Sequence, residues 1–597
     1  MRSDRGHAPF WGDEREASSY DEVSRAEYRR RAQRFGGDGS GGFDGGINVV
    51  LIVFACAFAL IIAKLIMLQV VDAPELARSA ELTRTNALTL RAKRGTIYDR
   101  NGNVLAISVD CKTIYCNPQE VTEPESTADI LMEYLEGKRE DFLAILESEG
   151  TFAYIERQVD ATRAKKLEDA IDEAHIQGIY FLDDQKRDYP YGNVAGQILG
   201  AVGIDGEGLF GLEYQYDEYL RGTDGTLLME VGIDGTPIAG ATAKVNEATN
   251  GQDLVLSLDV DVQMLAESKI AEAVKTYQAD SGTVMVTDPR TGEIIAACST
   301  PLLNPVLFPN VEIDSMTLKP VSANYEPGSI FKVLTAAIGI ENGVVTPWSS
   351  YTVPEGVEVG DDIVYDDDGR NYTMNMTLAE MMRRSSNTGI SMMAQESIGE
   401  ERFAAGIDAF GIGHATGIDF PGEETGIVRS LEEYDGSSLG SMSFGQGLAI
   451  PMVQMVRAIG AIANDGKLCT PHFVVFRGGE ELTWETSEPV VSQRTCDQVT
   501  DMLREVVLSG TATGAQVPGY DVAGKTGTGE QADESGGYRE DSFVASLIGY
   551  APADDPQVLV YVGLNGTPYL ASASAAPTFS SIMGEALTDL NVSATEL

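Results

Sequence analysis

Histidine is almost missing from this sequence, and lysine almost missing from its second half. There are four histidines, His7, His175, His414 and His472. None sits in an H-E-x-x-H or other ligand-spaced cluster, so a catalytic zinc has no home. Basic charge is short overall: 43 Lys and Arg face 91 Asp and Glu, a formal net charge of −48. Such a surface repels phosphate, which excludes nucleic acid as a partner and a basic patch for anionic lipid. The six cysteines (56, 111, 116, 298, 469 and 496) form no C-x-x-C. Cys111 and Cys116 either pair or stand as free thiols. Long apolar runs are scarce too, because there is one.

That run is Ile47 to Val71. As a helix its residues span about 37 Å, against about 30 Å of bilayer hydrocarbon, so it reads as a membrane anchor. Lys64 lies far enough along to snorkel to an interface. Residues 1–46 carry eight arginines, whereas Asp72 and Glu75 are the first charges beyond the helix. This asymmetry predicts a single-pass cell-membrane protein with a cytoplasmic N-terminus and an extracytoplasmic working part. No A-x-A site follows a short apolar region, which predicts an uncleaved signal anchor. Residues 1–46, with the glycine-rich 36–46, read as a disordered cytoplasmic tail.

The remainder is long enough for two domains. Within 72–250, residues 94–106 put apolar positions on both sides of Asn101-Gly102, a hairpin signal. Residues 126–176 look charged and helix-prone, and 208–213 form a glycine-punctuated turn. No nucleophile stands beside a base here, so the segment reads as a scaffold or docking module. Asn250-Gly251 marks the expected boundary before a catalytic domain at 251–597.

Beyond Lys319 only Lys332, Lys467 and Lys525 remain, and two of them stand in short motifs. Ser329-Ile330-Phe331-Lys332 opens a helix-prone stretch that ends at Asn342-Gly343, putting Lys332 one turn from Ser329 on the same face. A helix N-terminus offers free N–H groups to an oxyanion, and a lysine can activate a serine if burial and a neighbouring cation keep it neutral. Ser385-Ser386-Asn387 follows the helix-like 378–384. Gly524-Lys525-Thr526-Gly527-Thr528-Gly529 reads as a strand whose glycines allow close approach, followed by two further strands around Asp554-Asp555-Pro556. Residues 281–299 read as two strands joined by a turn at 288–292. S-x-x-K, S-x-N and K-T-G in this order form a serine acyl-transferase signature. No G-x-S-x-G elbow surrounds Ser329, and neither His414 nor His472 has a motif context, which disfavours a Ser-His-Asp hydrolase.

With these motifs, the Arg94-Gly95…Asp99-Arg100-Asn101-Gly102 and Gly208…Glu213 blocks and Ser443-Phe444-Gly445-Gln446-Gly447, the chain resembles class B penicillin-binding proteins. The resemblance implies an α+β fold: a β-lactamase-type transpeptidase domain, an antiparallel sheet flanked by helices, on an N-terminal dimerisation or pedestal domain. It implies a D,D-transpeptidase that crosslinks peptidoglycan stem peptides ending in D-Ala-D-Ala and is trapped by β-lactams, without metal or other cofactor. By the same resemblance Ser329 is the nucleophile, Lys332 the general base and Ser385 the proton relay. Asn387 holds the substrate amide, and Lys525 helps to keep Lys332 neutral. Lys525, Thr526 and Thr528 bind the terminal carboxylate, with Gly527 in the same substrate-binding strand.

Partners implied are a membrane glycosyltransferase and division-complex proteins, since no glycosyltransferase signature precedes Ser329. The alternatives are an elongation-type transpeptidase, a D,D-carboxypeptidase and a non-catalytic β-lactam sensor or scaffold. The Ala106-Ile107-Ser108 and Phe420-Pro421-Gly422-Glu423 segments favour the septal branch. Gln197 stands where many relatives have histidine, and Ala449-Ile450-Pro451 lacks a threonine common before that proline.

Overall fold

A computed structural model describes residues 43–73, 75, 85–230, 244–532 and 538–595. Two compact units divide the chain: residues 1–87 with 228–243, and residues 88–227 with 244–597. In the first, helix α1 (Phe43–Ile66) continues through a π-helical turn at Met67–Val71. Its apolar side chains are exposed around the whole circumference, and the stretch Asn48–Val71 is long and apolar enough to cross a membrane. A soluble helix would bury at least one face. The tail at 1–42 lies outside the described residues.

In the second unit the hairpin forms as expected, from β1 (Ile97–Tyr98) and β2 (Val104–Cys116). Asp99 ties its turn by accepting from the backbone N–H groups of Asn101 and Asn103 at 2.9 and 2.8 Å. Helices α2 (Pro124–Tyr134), α3 (Arg139–Leu146) and α4 (Ala161–Glu173) follow. The expectation of helix throughout 126–176 fails at β3 (Ala153–Asp160), which pairs with β2. Pairing to a distant strand overrides local charge there. On the other side of β2 lies β4 (Ile179–Asp188). The helices and these strands share a small core that includes Ile114, Leu131, Phe142, Val159 and Leu167. Cys111 and Cys116 are free thiols on the one strand β2. Five residues of extended chain hold them roughly 16 Å apart, on opposite faces, so the pairing alternative is excluded.

The boundary near residue 250 does not interrupt the sheet. Strand β5 (Leu254–Leu256) pairs in parallel with β1 and antiparallel with a strand from far along the chain. Helix α5 (Val260–Thr276) follows, capped by the Asp259 carboxylate, which accepts from Asp261 and Val262 N–H. Strands β6 (Ser281–Thr287) and β7 (Ile294–Ser299) form a hairpin. Its turn is held by Asp288, and Gly292 takes a φ of +86° that favours glycine. Helices α6 (Lys332–Glu341), α7 (Leu378–Arg384) and α8 (Asn387–Met393) carry the candidate site. Strand β8 (Val474–Arg477) is the distant partner of β5, completing with Glu480–Glu481 a seven-stranded sheet.

Helix α9 (Gln493–Ser509) leads into β9 (Ala523–Ala532), β10 (Tyr538–Ala551) and β11 (Val558–Thr567), and α10 (Ala575–Asp589) ends the fold. The order β7-β6-β11-β10-β9 makes a fully antiparallel five-stranded sheet with β9 at its edge. A Cβ at Gly549 would lie 3.1 Å from the Phe579 ring of α10, and one at Gly527 3.1 Å from Ile330. These two positions are on opposite faces, so the sheet is sandwiched between α10 and the turn that holds Ser329. One continuous core runs from Ile97 and Leu212 through both sheets.

Candidate active site

Ser329 lies in a 3₁₀ turn, Gly328–Ile330, that feeds directly into α6. Gly328 has φ +57° and donates its N–H to Gly445 O at 3.0 Å. A Cβ at Gly445 would sit 2.0 Å from Gly328 O, so only glycine lets the 443–447 segment back the turn this closely. The same segment takes a hydrogen bond from Thr335 Oγ1 on Ser443 O at 2.7 Å, and Gly447 N donates to Glu326 at 3.0 Å. The turn is thus clamped from behind, and Ile330 and Phe331 are fully buried beneath it. Among the described residues the Ser329 hydroxyl has no hydrogen-bond partner.

Lys332 is fully buried one turn on. Its Nζ donates to Ser385 O at 2.7 Å, Asn387 Oδ1 at 2.6 Å and Ser385 Oγ at 3.3 Å. Burial pushes its pKa down from 10.5 to about 8, against the opposing pull of Asp367 and Asp366. Ser385 caps α7 in the left-handed region, φ +61°, a strained position for a non-glycine residue that aims its hydroxyl between two lysines. The second is Lys525, on β9, whose Nζ donates to Ser385 Oγ at 2.8 Å and Thr526 O at 2.9 Å. Lys525 is also fully buried, and burial together with the nearby Lys332 holds its pKa well below the ordinary lysine value. Two ammonium groups sharing one hydroxyl in a dry site disfavour each other, so the pair sheds a proton more readily than either lysine alone.

On β9, Lys525 and Gly527 point to one side of the strand, Thr526 and Thr528 to the other. Glycine at 527 serves a purpose other than substrate approach: a Cβ there would meet Ser546 Oγ at 2.4 Å and Pro327 O at 3.2 Å. It allows the strand to press on the turn that holds Ser329. Thr526 Oγ1 lies 2.7 Å from Thr511 Oγ1, a residue no motif had singled out. The outer edge of β9 pairs with no other described strand, so its backbone groups can receive an extended peptide.

A buried ion pair beneath Asn387 is invisible to motif reading. Asp366 accepts from Arg370 Nη2 at 3.0 Å, Ser386 Oγ at 2.9 Å and both Thr388 N and Oγ1, at 2.9 and 2.8 Å. Burial works to raise its pKa, but these bonds outweigh it and hold the carboxyl below the ordinary value. Asn387 itself donates to Asp367 at 3.0 Å. The run Asp366-Asp367-Asp368 reads as solvated charge, and only the fold buries its first member. Replacing Asp366 with alanine leaves a guanidinium that is 1% exposed with backbone carbonyls but without its paired carboxylate, so a loss of about 3–5 kcal/mol is expected, measured as a lower melting temperature.

The penicillin binding protein transpeptidase domain matches residues 282–584 of this chain. The chain belongs to the penicillin-binding protein family. A second match, to the penicillin-binding protein dimerisation domain, covers residues 89–256 and makes it a class B penicillin-binding protein with the expected α+β architecture. It is 31% identical to stage V sporulation protein D of Bacillus subtilis, over 91% of this chain and 85% of that protein. To the peptidoglycan D,D-transpeptidase FtsI of Escherichia coli it is 27% identical, over 90% of each. The crystal structure of penicillin binding protein 2X from Streptococcus thermophilus superposes with a TM-score of 0.72 at 26% identity, covering 84% of this chain and 80% of that one.

As a family member, this penicillin-binding protein is a serine-type D-Ala-D-Ala transpeptidase with peptidoglycan as substrate and β-lactams as ligands. Its glutamine at 197 is well accommodated: Oε1 accepts from Ser299 N at 2.9 Å, and Nε2 lies 3.0 Å from Ser315 O.

Proposed function

We propose that this protein crosslinks stem peptides through an acyl-enzyme on Ser329, at the division septum, with its catalytic part outside the cytoplasm. The observation that carries the mechanism is the Ser385 hydroxyl, within hydrogen-bonding distance of both Lys332 and Lys525. A neutral Lys332 spends its two N–H bonds on Ser385 O and Asn387 Oδ1, leaving a lone pair to take the Ser329 proton. Ser329 Oγ then bonds to the penultimate D-Ala carbonyl, and the oxyanion is held by the N–H groups of Ser329 and Thr528. The carbon–nitrogen bond breaks as a proton passes through Ser385 to the departing D-Ala amine.

Lys525, Thr526 and Thr528 hold the terminal carboxylate, Gly527 lies in the same strand, and Asn387 holds a substrate amide. An acceptor amine attacks the ester, forms the crosslink and returns the proton to Ser329. The peptide-bond energy is conserved in the ester, so no nucleotide is consumed. A polymerising membrane glycosyltransferase and division proteins are the partners this function calls for.

Full-length protein given a pentapeptide donor and an acceptor amine is expected to release D-Ala and form a dimer in equal amounts. Release of D-Ala without dimer would make it a carboxypeptidase. A tagged copy is expected at midcell, and a signal spread along the side wall would replace the septal assignment with elongation.

A further inference from the structure

In the second unit, between residues 91–224 and the 305–308 segment, a cavity of about 410 Å³ collects six of the chain's scarce cations: Arg91, Arg94, Arg157, Lys186, Arg187 and Arg221. That volume suits a small-molecule ligand. It shares no residue with the Ser329 cleft. We propose that it is a second binding site, for an oxyanion (carboxylate or phosphate) carried on a compact organic body.

The argument begins with donors left over after the structural ion pairs are satisfied. Glu213 is fully buried and takes Arg94 Nε at 2.5 Å and Arg187 Nε at 2.6 Å. Arg187 Nη1 donates to Gly95 O at 2.8 Å. This fixes the Arg187 guanidinium, whose side chain is 4% exposed, and leaves Nη2 without a partner among the described residues. Two residues on, Tyr189 is 7% exposed and its O–H finds no acceptor among the described residues. Arg157 donates to Asp205 at 2.8 Å and to Ile204 O at 3.3 Å, yet its Nε has no hydrogen-bond partner among the described residues. An unpaired buried donor is costly, and three on residues lining one cavity call for an acceptor.

The acids around the cavity do not supply it. Asp205 is taken by Arg157, Asp184 by Thr113 Oγ1 at 2.6 Å, and Asp224 by Ala92 N at 2.8 Å. Only Asp188, exposed at the rim, has no hydrogen bond or ion pair of its side chain among the described residues. Apolar side chains complete the wall: Val306 and Ile204 are 60% and 50% exposed, and Phe308 packs on Phe210 with centroids 5.7 Å apart. Buried N–H and O–H donors beside apolar side chains fit an anionic head on a hydrocarbon or sugar body. The anionic head is supplied by the carboxylates of a cell-wall muropeptide or by a phosphate ester, and inorganic pyrophosphate, the head without a body, is the probe for the second.

Calorimetric titration of the full-length protein in detergent, with pyrophosphate and separately with a disaccharide-tripeptide muropeptide, tests this. At least one probe is expected to bind saturably. Tyr189→Phe removes one donor and is expected to weaken binding about tenfold. Val306→Asp sets a negative charge on an exposed rim residue and is expected to weaken it further. Labelling by fluorescent penicillin, unchanged in both variants, separates loss of this site from loss of the Ser329 site or of the fold. Binding of pyrophosphate alone identifies phosphate as the ligand chemistry, and tighter binding of the muropeptide identifies wall carboxylates. No saturable binding of either probe at millimolar concentration, or binding that neither variant alters, would overturn the proposal.

Discussion

Ser329→Ala should take no label from fluorescent penicillin while keeping the melting transition of the native protein. Removing one hydroxyl from a side chain that has no hydrogen-bond partner among the described residues disturbs nothing that holds the turn. The clamp on that turn is made by backbone and neighbours: Gly328 N on Gly445 O, Thr335 on Ser443, Gly527 packed beneath. The substitution therefore separates chemistry from folding. A penicillin that merely occupied the cleft would be washed away on denaturation, whereas an ester survives it. Label that persists in Ser329→Ala after denaturing electrophoresis would put the nucleophile elsewhere, and no label on native protein would make the chain a scaffold.

Lys332→Met should slow acylation by about 10²–10⁴-fold, the usual worth of a positioned base. The native pH profile should carry the same signature. Because the Lys332 pKa is lowered from 10.5 to about 8, the base is protonated, and silent, below that value. The acylation rate should rise about tenfold per pH unit up to pH 8 and level off above it, until other groups intervene. Lys332→Met should flatten that limb. For stability the sign follows from proton counting. Between pH 8 and 10.5 the unfolded chain holds a proton on this lysine that the folded chain has released, so this group's contribution to stability rises with pH across that window. Below pH 8 both states are protonated and the burial cost is undiminished. An unchanged pH profile in Lys332→Met would remove Lys332 from the role of base.

Much of the site was legible because its chemistry is local. A serine and a lysine three apart share a helix face whatever the rest of the chain does, and K-T-G followed by two apolar alternating runs reads as a strand among strands. The scarcity of lysine drew attention to Lys332 and Lys525, which the fold brings to one hydroxyl. The lowered pKa of Lys332 could not be read that way, because it depends on complete burial, which only the packed helices α7 and α8 and strand β9 provide. Asp366 and Arg370 were missed for the same reason: three aspartates in a row look like solvated charge until the fold closes over one of them. Thr511 reaches Thr526 from outside any motif. Strand β3 was hidden in a charged stretch because its stability comes from β2, more than 30 residues away in sequence.

The seven-stranded sheet runs straight through the place where the two family domains meet. Strand β5 is hydrogen-bonded on one side to β1, from the first domain, and on the other to β8, deep in the second. Tyr216 reinforces the join by donating to the buried carboxylate of Asp419 at 2.9 Å. A boundary drawn by inheritance is therefore no mechanical hinge. A force on the first domain would travel along β-sheet hydrogen bonds into the second instead of being absorbed in a flexible joint.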